Sequence, residues 1–197
     1  VATVMSVDPD CSPEIAALWG ASTAIAISEI PWDGPVSSVS LGLVDGKYVI
    51  NPNLEERAKT EMTVTVASTD SLVAMIEAGA NEISNEVMFD GIMFAHEENK
   101  KIVEFIKGIV AEIGREKIAF ESNDPSEELY EAIKAFAIED VKVALDTDDK
   151  RIRDERLLPI YDAVHEKFDE EFADEADKID DCLYKLQKYI VRRWLLD

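Results

Sequence analysis

The sequence predicts an α+β unit followed by a small all-α three-helix bundle, and three observations carry that prediction. Residues 39–78 show apolar alternation with period two around turn residues, whereas residues 84–113 revert to a helical period. From Phe120 to Asp197 no strand pattern occurs at all. Antiparallel or mixed strands covered by helices, then helices alone, are the arrangement such a succession supports.

Taken in order, Val1-Ala2-Thr3-Val4-Met5-Ser6-Val7 reads as a strand. The chain opens inside this run and without Met, which suggests a piece of something longer. Ser12 can cap a helix, Pro13 fits its first turn, and Glu14 complements the positive end of the dipole. Ile15, Leu18, Trp19, Ile25 and Ala26 continue that helix, which should end before Pro31. Val39, Leu41 and Leu43 lead into Asp45-Gly46, and Tyr48-Val49-Ile50 return, a hairpin signature. Asn51-Pro52-Asn53 breaks it, and Leu54 to Lys59 suits a short helical turn. Met62, Val64 and Val66 alternate with Glu61, Thr63 and Thr65, a strand with one buried face; Leu72 to Ala78 is its expected partner. Met88, Ile92, Ala95, Ile102, Ile106, Ile109 and Ile113 form a helical stripe ending at Gly114.

A linker is expected over residues 114–123, separating a first domain, residues 1–114, from a second, residues 120–197. Asp124, Pro125 and Glu127 read as the cap, first-turn proline and capping-box acid of a helix carrying Leu129, Ile133, Phe136, Ala137 and Val141. Thr147-Asp148-Asp149 opens a second helix with Leu157, Tyr161, Val164, Phe168 and Phe172 on its face, which Pro159 should kink or shorten. The third carries Ile179, Leu183, Leu186, Ile190 and Trp194, with Arg192 and Arg193 near its negative end.

Acidic residues outnumber basic ones 42 to 20, for a formal net charge of −22. Residues 1–118 hold 19 acids and 8 bases, and residues 119–197 hold 23 and 12, so neither part reads as a basic, RNA-gripping domain. The same charge disfavours anionic membranes. Cys11 and Cys182 are too few for a disulfide scaffold and suit free thiols in a reducing compartment, and no cationic signal segment appears. A cytoplasmic location is therefore expected.

No motif assembles into an active site. His96 and His165 lie on separate helices, and His96-Glu97-Glu98 lacks the second His of a zinc-protease helix. Asp146-Thr147-Asp148-Asp149 resembles a calcium loop until Lys150 and Arg151 fall where a ligand and Gly belong, so helix-start charge explains it better. The acids from Asp169 to Asp181 suit a solvated helix face. Phosphate-cradling glycine motifs and Gly-x-Ser-x-Gly are absent, Cys11 has no basic neighbour, and Trp19, Trp32 and Trp194 fit helix stripes or a turn.

Longer runs are specific. Ser6-Val7-Asp8-Pro9-Asp10, Pro13 to Leu18, Gly20 to Ala24, Ile27 to Val36, Tyr48 to Pro52, Val66 to Thr69 and Gly91 to Glu97 together resemble the polynucleotide phosphorylase family. In that family these residues look like the second half of the first of two RNase PH-like core domains. The helices from about residue 120 are similar to its all-helical linker domain, with Ile190-Val191-Arg192-Arg193 fitting the last helix. The resemblance implies a parent that degrades RNA from the 3′ end with inorganic phosphate, releasing nucleoside diphosphates. It also implies a ring-shaped homotrimer, magnesium or manganese, and RNA-binding modules beyond the cores.

The family's catalytic carboxylates lie in the second core, in and before a Gly-Asp-Met-Asp-Phe run leading into Val-Ala-Gly-Thr. The matching stretch here is Thr60-Glu61-Met62-Thr63-Val64, then Val66-Ala67-Ser68-Thr69. Thr63 stands where the second Asp would be, and a hydroxyl cannot hold a metal or activate phosphate as a carboxylate does. No catalytic, cofactor or metal residue is accordingly assigned to this chain, and strong RNA binding by it is not expected. Two other classes remain open: an autonomous acidic interaction module built on the helices, and a metal-dependent enzyme using acids among Asp169 to Asp181.

Overall fold

The sheet begins at a two-residue turn. Asp45 and Gly46 have φ of 49° and 72°, and that pair of left-handed residues joins two antiparallel strands without splaying them. In this computed structural model, which describes all 197 residues, the turn links β1 (Ser37–Val44) to β2 (Lys47–Ile50). β3 (Met62–Ser68) pairs with the other edge of β1, and β4 (Val73–Ala80) with β3. The result is a fully antiparallel sheet of order β2-β1-β3-β4. The turn from β2 to β3 carries α2 (Leu54–Lys59), held by a complete capping box between Asn53 and Glu56.

Val39, Leu41 and Leu43 of β1 and Met62, Val64 and Val66 of β3 form the buried face. It is covered by α3 (Asn85–Ile113), which Ser84 caps, and α1 (Pro13–Ile27) packs beside it. The α1 position is fixed by polar contacts. Trp19 Nε1 donates to the Ser38 carbonyl at 2.7 Å, and the Val36 N–H donates to the buried Ser22 hydroxyl at 3.1 Å. Ser12 does sit at the cap position, but its hydroxyl donates to Glu14 Oε2 rather than accepting a backbone N–H.

The seam of α3 differs from the expected stripe. Its buried residues are Gly91, Ala95, His96, Asn99, Val103 and Ile106, while Met88, Ile92, Ile102 and Ile109 flank the seam half-buried and Ile113 is exposed. Size and hydrogen bonding decide this. At Gly91 a Cβ would lie 2.9 Å from a Leu41 methyl and 3.0 Å from that of Met62, so the helix comes as close as a bare backbone allows. Asn99 donates to the Val66 carbonyl at 2.8 Å, a bond that an apolar stripe cannot anticipate.

Two other expectations need correction in this part. Val1 to Val7 form no strand: they are exposed and no neighbour supplies the ladder partners that extended backbone requires. Gly114 does end α3 as expected, in extended conformation (φ −64°, ψ 148°). The first half of the expected linker is no free tether, because Arg115 and Ile118 N–H groups donate to the carbonyls of Ile27 and Glu29. Lys117 Nζ reaches the carbonyls of Ile25, Ala26 and Ser28 at 3.1, 2.9 and 2.6 Å, placing a cation on the negative end of α1.

Contacts divide the chain into Val1–Phe120 and Glu121–Asp197. The second unit comprises α4 (Glu127–Leu145), α5 (Lys150–Phe168) and α6 (Ile179–Leu196). Its core joins Leu129, Ile133 and Val141 of α4, Leu157, Val164 and Phe168 of α5, and Ile179, Leu183, Leu186 and Ile190 of α6. The cap of α4 is Ser126, which accepts from Leu129 N–H, so Asp124 and Pro125 lie outside the helix. α5 passes through Pro159 as one element; the ring leaves the carbonyl of exposed Glu155, four residues back, without its helical donor, and water can serve it. Phe136 and Trp194, expected on core faces, are 42% and 50% exposed.

The close approach at Gly91 yields a direct expectation. Gly91→Leu should destabilise the first unit by about 1–3 kcal/mol through overpacking against Leu41 and Met62. An unshifted urea midpoint in far-UV circular dichroism would contradict the packing.

Candidate functional site

With α3 on one face of the sheet, the alternating residues of β3 are turned the other way. Thr63, whose backbone pairs with Gly42 and Gly79, is exposed, and Glu61 is exposed just ahead of the strand. Glu61 is held through its backbone: its N–H donates to the Leu43 carbonyl, and its carbonyl accepts from Asn81. Its carboxylate makes no ion pair. The neighbouring Thr60 hydroxyl is spent on the strand, accepting from Leu43 N–H and donating to the Met62 carbonyl at 2.6 Å. This stretch therefore presents one carboxylate and one hydroxyl to solvent. Divalent magnesium or manganese asks for hard anionic oxygen, supplied by one or two carboxylates together with substrate phosphates and by the other donors gathered around them. No cluster of His, Cys, Asp or Glu side chains able to hold such an ion gathers in the chain, and the lone carboxylate at 61 beside the neutral hydroxyl at 63 does not fit that group.

The histidines have separate surroundings. His96 is buried in the α3 seam with no partner for Nδ1. His165 bridges two carboxylates: Nδ1 lies 2.8 Å from Asp169 Oδ1 and Nε2 lies 3.1 Å from Asp180 Oδ1. It thereby ties the end of α5 to the start of α6. Hydrogen bonds from Asp169 and then Asp180 raise its pKa above the ordinary histidine value, against a smaller opposing effect of burial.

The acid-rich stretch around them is not a helix face. It folds as a turn and a short 3-10 helix, Ala173–Lys178, that breaks at Glu175 (φ −128°). The Glu175 carboxylate accepts the Ser126 N–H at 2.8 Å, which closes the start of α4 and lowers its pKa. Asp149, from the loop that resembled a calcium site, caps α5 by accepting from Arg151 and Ile152 N–H groups. Acids that looked like ligands thus serve helix ends. Cys182 is buried, which pushes its thiol up to about 11, while Cys11 is exposed and unpaired.

One feature escapes whole-chain charge arithmetic. Residues 182–197 carry Lys185, Lys188, Arg192 and Arg193 against the single acid Asp197. Tyr184, Lys188 and Arg192, four residues apart, share a flank of α6 beside Arg153 of α5. Counting charge in a short window, instead of over each half, is the signal that could have found them.

Residues 34–98 match the family model described as the 3′ exoribonuclease family, domain 2, and residues 128–197 match the polyribonucleotide nucleotidyltransferase RNA binding domain. Proteins named polyribonucleotide nucleotidyltransferase match along the whole chain: that of Ruminiclostridium cellulolyticum is 48% identical over 196 residues, and that of Bacillus velezensis 41% over 199. The chain belongs to the polyribonucleotide nucleotidyltransferase family. It covers 28% of the length of each of those two relatives. In Clostridioides difficile the relative is 50% identical over 157 residues, which is 80% of this chain. Among solved structures, rice Rrp46 superposes with a TM-score of 0.47 at 16% identity, covering 53% of this chain and 51% of that one. No helix is long and apolar enough to cross a membrane.

The His165 bridge sets a pH dependence. A folded-state pKa above the unfolded value, about 6.5, means a contribution fully present below that value and lost as pH rises through the folded one. A proton NMR titration of the ring should show a midpoint above that of free histidine. Asp169→Asn should lower it; a midpoint indifferent to both acids would contradict the bridge.

Proposed function

We propose that this chain is a non-catalytic section of a polyribonucleotide nucleotidyltransferase: the second half of the first of two RNase PH-like cores, joined to the helical domain. The parent enzyme removes nucleotides from the 3′ end of RNA, using inorganic phosphate as the acceptor and releasing nucleoside diphosphates. It works as a ring-shaped homotrimer with magnesium or manganese at carboxylates in the second core, in the cytoplasm. What supports the parent's activity is the family membership and the order of the two matched regions within one chain.

The non-catalytic role rests on the exposed strand at Glu61 and Thr63. Phosphate attack needs a divalent cation to neutralise phosphoryl oxygens, and positioned carboxylates to hold that cation. A threonine hydroxyl stays neutral and binds such an ion far more weakly than a carboxylate. The role left to this section is structural: α3 and α1 cover one sheet face, and the piece packs within the larger core and helps to build the ring.

In a phosphorolysis assay on polyadenylate with magnesium and inorganic phosphate, the full-length parent should release adenosine diphosphate. The 197-residue chain should not exceed its phosphate-free control. Diphosphate release by the isolated chain would overturn the non-catalytic assignment, and silence of the full-length protein would overturn the family activity.

A further inference from the structure

We infer that the flank of α6 bearing Tyr184, Lys188 and Arg192, together with Arg153 of α5, is a contact site for single-stranded RNA. The inference rests on the reading of the parent as an RNA-degrading enzyme and assigns a surface for that substrate within the helical unit.

The geometry begins with helix spacing. Positions 184, 188 and 192 lie on one side of α6, over about 12 Å at 1.5 Å per residue. They border a cleft of about 470 Å³ with Arg153 on its far side and Leu145, Val191 and Leu195 contributing apolar surface. Tyr184 is 58% exposed. The Lys188 ammonium sits over that ring, 4.3 Å from its centroid, so cation and aromatic surface lie together.

Two of the charges there are available. Lys188 and Arg192 form no ion pair, whereas Arg193 is taken by Asp197 at 2.7 Å. The acid in the cleft, Asp154, is shared between Lys150 at 2.6 Å and Arg153 at 3.4 Å, so it is neutralised from two sides. A chain of net charge −22 therefore places two unpaired cations, Lys188 and Arg192, beside an exposed aromatic ring, with Arg153 shared with Asp154 next to them.

That combination selects the occupant. Cations along a groove follow a phosphate backbone, and an exposed ring stacks on a base whatever its identity. Duplex RNA buries its base faces, and an acidic peptide offers charge but few aromatic faces to stack. The family model matching residues 128–197 is itself described as an RNA binding domain, which agrees with RNA as the occupant. With two unpaired cations and a third, Arg153, that must exchange Asp154 for a phosphate, the contact is weak and salt-sensitive. It adds to RNA affinity held elsewhere in the parent, which accords with the low affinity expected of this acidic chain alone.

The test is fluorescence anisotropy of a labelled oligoadenylate of roughly 12 nucleotides with the 197-residue chain at about 50 mM KCl. Saturable binding is expected, with log K falling against log salt at a slope of about −2, from about 0.7 for each of three phosphate contacts. The double variant Lys188→Glu, Arg192→Glu should weaken it at least about tenfold and flatten the slope. Tyr184→Ala should weaken it by about fivefold or more, while Tyr184→Phe should bind as the parent sequence does. Lys101→Glu on α3 should leave binding unchanged. All these side chains are exposed, and far-UV circular dichroism of each variant should match that of the unsubstituted chain.

Absence of saturable binding would overturn the inference. So would binding that survives both the charge reversal and Tyr184→Ala, or polyglutamate competing as well as unlabelled RNA. Failure of the full-length enzyme to release nucleoside diphosphate would instead strike the functional reading alone, because this assay involves no turnover.

Discussion

The first unit depends on how closely a helix can lie on a sheet. Gly91 removes the one side chain that would hold α3 away from Leu41 and Met62, and Asn99 then reaches the Val66 carbonyl across the interface. Because α3 takes that face, β3 must aim Thr63 and Thr65 the other way, and the register of the β1-β3 pair leaves no latitude: a one-residue slip would exchange the two sets. The exposed chemistry of Glu61 and Thr63 is thus a consequence of core packing.

Elements whose signals are local were legible in the sequence. The Asp45-Gly46 turn, the alternation over residues 62–66 and the Asn53 break each specify their own geometry, and the structure places a turn, a strand and a capped helix there. Elements that depend on a distant partner were not. The Val1 to Val7 run has strand composition but no neighbouring strand, and the residues after Gly114 look like linker yet are fixed by carbonyls at the end of α1. The α3 seam departs from its hydrophobic stripe for a related reason. Hydrophobicity finds the flanks of a helix packed on a sheet, while its centre is chosen by small size and by one buried amide.

Charge shows the same division between average and locality. Summed over each half, the acids describe a protein that repels RNA. Resolved residue by residue, they disperse into specific duties: Glu175 on the Ser126 amide, Asp149 on the start of α5, Asp169 and Asp180 on His165. The bases gather on the final helix. A carboxylate committed to a helix end or an imidazole does little to offset a cation across the bundle, because surface charges beyond about 8 Å are largely screened at physiological ionic strength. Net charge therefore bounds what a domain can bind only where its charges are unpaired and evenly spread.

Glu61 stands without a second carboxylate to share a cation. Crystals of the chain soaked in manganese and orthophosphate, measured at the manganese absorption edge, test that most directly. No anomalous peak is expected between Glu61 and Thr63. An ordered manganese ion there, with phosphate coordinated to it, would show that a single carboxylate suffices and that this section carries a catalytic centre of its own.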